Sequence, residues 1–211
     1  MMKKSKRSDV DPFIVMDVME SARIAEEKGK DIIHMEVGQP GTPAPKIAKD
    51  YITNEINKNN LGYTVSLGLP ALRTKISKLY GDWYNLDLNP NRIVVTTGSS
   101  GAFILSFSAL FDSGDRVGIG SPSYPSYRQI LKSLSLETVD IQTKLQNRFQ
   151  PVPEDITNNN LNGILVASPA NPTGSMLDKQ SLENLINTAN ENNVSFISDE
   201  IYHGIQYENN P

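Results

Sequence analysis

The run Val194-Ser195-Phe196-Ile197-Ser198-Asp199-Glu200-Ile201-Tyr202 constrains this chain most: β-branched and aromatic residues that end in two carboxylates and a tyrosine. Such a run reads as a buried strand that delivers an acid at its carboxyl end. In open α/β sheets ligands bind beyond those ends, so Asp199 is placed to meet a ligand outside the hydrophobic layer. It could equally cap the following turn, as many strand-end acids do. The other stretches have to decide between these roles.

Three more strands end in turns of small or polar residues. Arg92-Ile93-Val94-Val95-Thr96-Thr97 runs into Gly98-Ser99-Ser100-Gly101-Ala102, after which Phe103, Leu105, Phe107, Leu110 and Phe111 continue as an apolar helix. A strand, a small-residue turn and a helix amino terminus bring together free N–H groups, hydroxyls and the positive end of a dipole, which suits a phosphate. Ser at a helix start is as often a plain N-cap. The stretch matches neither the P-loop nor the dinucleotide fingerprint. Arg116–Gly120 leads to Ser121-Pro122-Ser123-Tyr124, where Tyr124 is either a turn aromatic or a stacking partner for a flat ligand. Gly163–Ser168 leads to Pro169-Ala170-Asn171-Pro172-Thr173-Gly174, turn chemistry in its own right.

The remaining pattern is alternating helix and strand. Helices are expected over Phe13–Lys28, Ile47–Lys58, from Pro70 through Trp83, near Arg128–Leu134 and over Lys179–Asn190, with further strands at Ile32–Val37 and Glu137–Gln142. Trp83 lies on an apolar stripe and is expected in the core. His34, inside an apolar run, is expected as a satisfied core histidine. Thr157-Asn158-Asn159-Asn160 reads as a solvated loop. Gly38, after its strand, allows close approach of a backbone, whether to a ligand or in a plain turn.

Composition excludes several functions. The 211 residues are 38% hydrophobic and 21% charged, with 24 acids against 20 bases, and no apolar run is long enough to cross a bilayer. A net charge of −4 supplies no basic face, so no nucleic-acid or membrane partner is expected. Lys3-Lys4-Ser5-Lys6-Arg7 precedes polar residues rather than an apolar segment, so it reads as a solvated tail and the expected location is the cytoplasm. Without cysteine, and with only His34 and His203, neither a thiolate nor a histidine-rich metal site is expected.

Taken in order, Val37-Gly38-Gln39-Pro40, Gly62-Tyr63-Thr64 with Gly68-Leu69-Pro70-Ala71-Leu72-Arg73, Thr97-Gly98-Ser99-Ser100-Gly101-Ala102, Tyr124, Asn171-Pro172-Thr173-Gly174 and Asp199-Glu200-Ile201-Tyr202 resemble the fold-type I, class I and II aminotransferases. The resemblance spans nearly the whole chain. It implies an α/β fold: an incomplete three-layer sandwich of the large domain of pyridoxal-phosphate-dependent transferases, with a mostly parallel sheet. Residues 1–45 would be an N-terminal arm and a helical part of the small domain, and 46–211 the incomplete cofactor-binding domain.

The resemblance also implies pyridoxal 5'-phosphate as cofactor, transamination between an amino acid and a 2-oxo acid, a biosynthetic role and a homodimer. Asp199 would pair with the pyridine nitrogen, and Asn171 and Tyr202 would hydrogen-bond the phenolic oxygen. Gly98, Ser99 and Ser100 would hold the phosphate, joined by Tyr63 of a partner subunit. Tyr124 would stack on the ring. Gly38, with Asn171, would meet the substrate carboxylate.

The Schiff-base lysine of the family lies beyond the strand-end Asp, whereas the last lysine here is Lys179 and the last arginine Arg148. The chain is therefore expected to be the amino-terminal part of a longer enzyme, inactive alone. Two family strands made after this point normally lie beside Ile93–Thr97. Without them two sheet edges are expected to stand open. Another reaction of the same cofactor, such as C–S lysis or decarboxylation, and a non-catalytic cofactor-binding module remain as alternatives.

Overall fold

The structure, a computed structural model, describes residues 3–38 and 41–205. Gln39 and Pro40 of the sequence reading lie outside the described residues. Residues Ile14–Thr96 make one compact unit, and the residues on either side of them make another.

The second of these units is built on four parallel strands: β1 (Arg116–Ser121), β2 (Glu137–Gln142), β3 (Gly163–Ala167) and β4 (Ser195–Asp199). Their order across the sheet is β2-β1-β3-β4. Parallel neighbours require crossovers, and helices supply them. α5 (Pro125–Ser133) joins β1 to β2, α6 (Pro153–Asn158) lies between β2 and β3, and α7 (Lys179–Glu191) between β3 and β4, while α4 (Gly98–Leu110) precedes the sheet.

Side-chain alternation along β3 separates two cores. Leu165 joins Phe103 and Phe107 of α4, Tyr127, Ile130 and Leu131 of α5, and Val117 and Ile119 of β1. Ile164 and Val166 instead join Ile141, Ile156, Leu185 and Ala189. The result is the expected three layers, helix on both faces of a parallel sheet. At Gly163 the strand passes so close to the Phe111 ring that a side chain would collide with it.

In Ile14–Thr96 the helices are α1 (Ile14–Glu27), α2 (Lys46–Ile56) and α3 (Pro70–Tyr84). α3 opens on Pro at its first position and stops at Asn85, which is left-handed at φ 52°. It is tied to the turn Pro90–Arg92 by the buried Arg73, donating to the Pro90 carbonyl at 3.1 Å, and by Ser77 Oγ, donating to that of Leu88 at 2.6 Å.

Five expectations are corrected. Ile32–Val37 and Arg92–Thr97 form no strand, although Ile93 is extended. Extended backbone becomes a strand only by pairing, and among the described residues neither run has a ladder partner; Val95 N–H donates to the Leu67 carbonyl in a loop instead. Part of Thr157–Asn160 is helical, because Pro153 at the first position and the Asp155 carboxylate, accepting from Val152 N–H at 2.8 Å, start α6. Trp83 is exposed, for α3 buries only Arg73. His34 is half-exposed and no core residue: its ring lies between Glu36 (2.6 Å) and Glu26 (2.9 Å).

Among the described residues the sheet ends at β2 and β4, and the open edge expected at Ile93–Thr97 does not exist, because that run forms no strand. No helix among the described residues is long and apolar enough to cross a membrane.

Candidate active site

The connections leave β1 toward β2 on one side and return to β3 on the other. The switch point of the sheet therefore lies between the carboxyl ends of β1 and β3, where ligands of such sheets bind. A small cavity of about 20 Å³ opens there, lined among others by Gly120, Ser123 and Tyr127 from the β1 side and by Ala167, Ala170 and Asn171 from the β3 side.

Asp199 closes β4 in register with Ala167 of β3 and is buried. Its Oδ1 accepts from Ile201 N–H at 3.1 Å, so it does cap the next turn. Its Oδ2 accepts from the Tyr127 hydroxyl at 2.5 Å. An ionised carboxylate has about four acceptor positions, so two bonds leave room for a further N–H donor. Both roles open in the sequence are therefore compatible.

Tyr127 reaches Asp199 because α5 begins directly after β1, with Tyr124 at its N-cap. Residues three apart share a helix face. The two rings meet edge-on at 5.5 Å, Tyr127 packs against Phe103 at 5.3 Å, and Tyr124 packs against Phe13 at 5.9 Å. Burial, followed by the bond to the Asp199 carboxylate, pushes the Tyr127 phenol far above its ordinary range, with smaller contributions from the neighbouring Tyr124 and Tyr202 phenols. Tyr127 therefore stays protonated, a permanent donor to Asp199.

α4 starts at Gly98, whose φ of +77° suits glycine, and Thr97 supplies no side-chain cap. Ser99 is half-buried and Ser100 exposed in the first turn. This helix start offers N–H groups and hydroxyls, donors of the kind that a phosphate takes. Asn171 is half-buried in the loop after β3, and that loop is tied to β4 by Ser168 N–H donating to the Asp199 carbonyl at 3.1 Å.

Thus one unit carries Gly98, Ser99, Ser100, Tyr124, Asn171, Asp199 and Tyr202. Gly38 and Tyr63 belong to the Ile14–Thr96 unit, where Tyr63 is fully exposed. His203 approaches Glu200 at 3.8 Å and has no assigned role. Sequence reasoning missed Tyr127, whose only signal is its spacing of three from Tyr124. It also missed the buried Gln150, which no pattern marks.

Residues 30–210 match the family described as aminotransferase class I and II. The chain is 41% identical over 207 residues to the valine–pyruvate aminotransferase of Mycobacterium tuberculosis, covering 97% of this chain and 53% of that protein. Among solved structures, an aminotransferase from Mycobacterium tuberculosis superimposes with a TM-score of 0.94 at 39% identity, over 100% of this chain and 55% of that one. The alanine aminotransferase of Pyrococcus furiosus gives 0.88 at 33% identity, over 98% and 54%. The chain spans about half the length of the relatives it matches.

Proposed function

The chain belongs to the class I and II aminotransferase family, and from that premise we propose that it is the part of a pyridoxal 5'-phosphate aminotransferase that holds the cofactor. In the whole protein the reaction moves an amino group between an amino acid and a 2-oxo acid. The observation that carries this reading is Asp199: a buried carboxylate at a strand end, oriented by Tyr127, with acceptor positions left over.

The residues fit the cofactor by the chemistry of their donors and acceptors. Asp199 favours a proton on the ring nitrogen. Asn171 and Tyr202 offer donors to the phenolic oxygen. Gly98, Ser99 and Ser100 offer N–H and hydroxyl donors to the phosphate. Tyr124 covers a ring face and keeps water from it. When bound, the cofactor supplies the electron sink that makes the substrate α-carbon acidic.

Gly38 and Asn171 meet the substrate carboxylate, and Tyr63 serves the phosphate site of a partner subunit in a homodimer. Residues 1–45 are the N-terminal arm and part of the small domain, and 46–211 an incomplete cofactor-binding large domain of that enzyme, which works in the cytoplasm in amino-acid biosynthesis. Lys179 matches no motif position, so no lysine of this sequence is assigned as the Schiff-base lysine.

The test is an assay of the native gene product for 2-oxo-acid release from amino acids, with and without pyruvate as acceptor. Release that requires the acceptor supports transamination. Release without it means elimination, and cofactor binding with no turnover on any amino acid means a non-catalytic module.

A further inference from the structure

Gln150 is buried, yet it follows two consecutive left-handed residues, Arg148 and Phe149, at φ 53° and 54°. Non-glycine residues adopt that conformation at a cost in backbone energy. The turn is closed by Phe149 N–H to the Lys144 carbonyl at 2.9 Å and Gln150 N–H to that of Asn147 at 3.0 Å. Its outcome is a glutamine aimed inward, behind the loop that carries Asn171.

The side-chain amide of Gln150 donates to the Ala167 carbonyl at 3.1 Å, to the Ser175 carbonyl at 3.1 Å and to Ser175 Oγ at 3.2 Å. Ala167 ends β3 and Ser175 lies on the far leg of the same loop, so one amide joins both legs. Between them Ala170 N–H donates to Ser175 O at 2.9 Å and Gly174 N–H to Ala170 O at 2.7 Å. Asn171 is in the span these bonds enclose, and Gln150 and Asn171 line the same cavity at the switch point.

We infer that Gln150 is a positioning residue for Asn171: its buried amide fixes the loop from which Asn171 meets the cofactor. This rests on the reading of Asn171 as a cofactor ligand. Glutamate at 150 would keep the volume but set a carboxylate against two carbonyl oxygens, with no proton to donate. Leucine would keep the volume without any donor.

The test uses the native gene product with pyridoxal 5'-phosphate as the probe, comparing wild type with Q150E, Q150L and N171A. Hydrogen exchange of the peptide 168–177 is measured by mass spectrometry beside that of β1, together with cofactor affinity and the pH midpoint of the bound cofactor's visible absorbance. Both Gln150 variants are expected to speed exchange in 168–177 but not in β1. They should weaken cofactor binding about three- to tenfold. The absorbance midpoint should move upward as in N171A, because a donor to the phenolic oxygen favours its anionic form.

Wild-type exchange and affinity in Q150E and Q150L, with N171A weakened, would overturn the inference alone. So would exchange that rises in β1 as much as in 168–177, since Gln150 would then support the whole sheet. N171A with wild-type affinity and midpoint would overturn the reading of Asn171 itself, and the role of Gln150 toward the cofactor with it.

Discussion

The Tyr127 hydroxyl donates to Oδ2 of Asp199 across 2.5 Å, between residues 72 apart in the chain. The bond joins the start of α5 to the end of β4, over the strands β1 and β3 that lie between them. With burial and the bond to the Asp199 carboxylate raising the phenol, the proton stays on Tyr127.

Removing that donor should therefore weaken Asp199 as a partner for a protonated ring nitrogen. In Y127F the ring and its packing against Phe103 remain, so the fold is expected to persist. Cofactor affinity, measured by absorbance titration of the native gene product, should fall about three- to tenfold, less than the full worth of a hydrogen bond to a charged group because the bond forms with and without the cofactor. Wild-type affinity would show that Asp199 needs no help from Tyr127.

His34 gives a pH dependence of its own. Its bonds to Glu36 and then Glu26 raise its pKa to about 9, and Glu36 is lowered in return by the same pairing. The unfolded value is near 6.5, so the folded pKa is the higher one and folding takes up a proton between the two. The stabilisation is fully present below about pH 6.5 and is lost as pH rises through about 9. An NMR titration of the His34 ring should give a midpoint close to 9. A midpoint near 6.5 would contradict the two-carboxylate bridge.

The 211-residue polypeptide on its own should associate rather than unfold cooperatively. Both edges of its four-stranded sheet are open. α4 is apolar all round and leaves Ile104, Leu105 and Leu110 exposed at 47%, 57% and 49%. Helices of that composition are normally buried on every side. Light scattering that grows with concentration is the expected result, and a single reversible thermal transition of a monomer would refute it.

Much of this was legible because the signal was local. β2 occupies Glu137–Gln142 as its alternation indicates, α7 ends one residue from its expected stop, and the strand-end position of Asp199 follows from the β-branched run before it. What failed needed partners that no local pattern contains. Ile32–Val37 and Arg92–Thr97 have strand composition but, among the described residues, no ladder to join. Trp83 sits on a helical stripe whose helix buries little besides Arg73. Tyr127 and Gln150 act through bonds to residues far along the chain, and a tyrosine in an amphipathic helix or a glutamine after a turn announces neither.

The central claim, that Asp199 holds a proton on the cofactor's ring nitrogen, is tested most directly by nitrogen NMR of ring-labelled pyridoxal 5'-phosphate bound to the native gene product and to D199N. The account predicts a protonated ring nitrogen in the wild type and an unprotonated one in D199N, where a neutral amide replaces the carboxylate. An unprotonated nitrogen in the wild type, or the same protonation in both proteins, would contradict it.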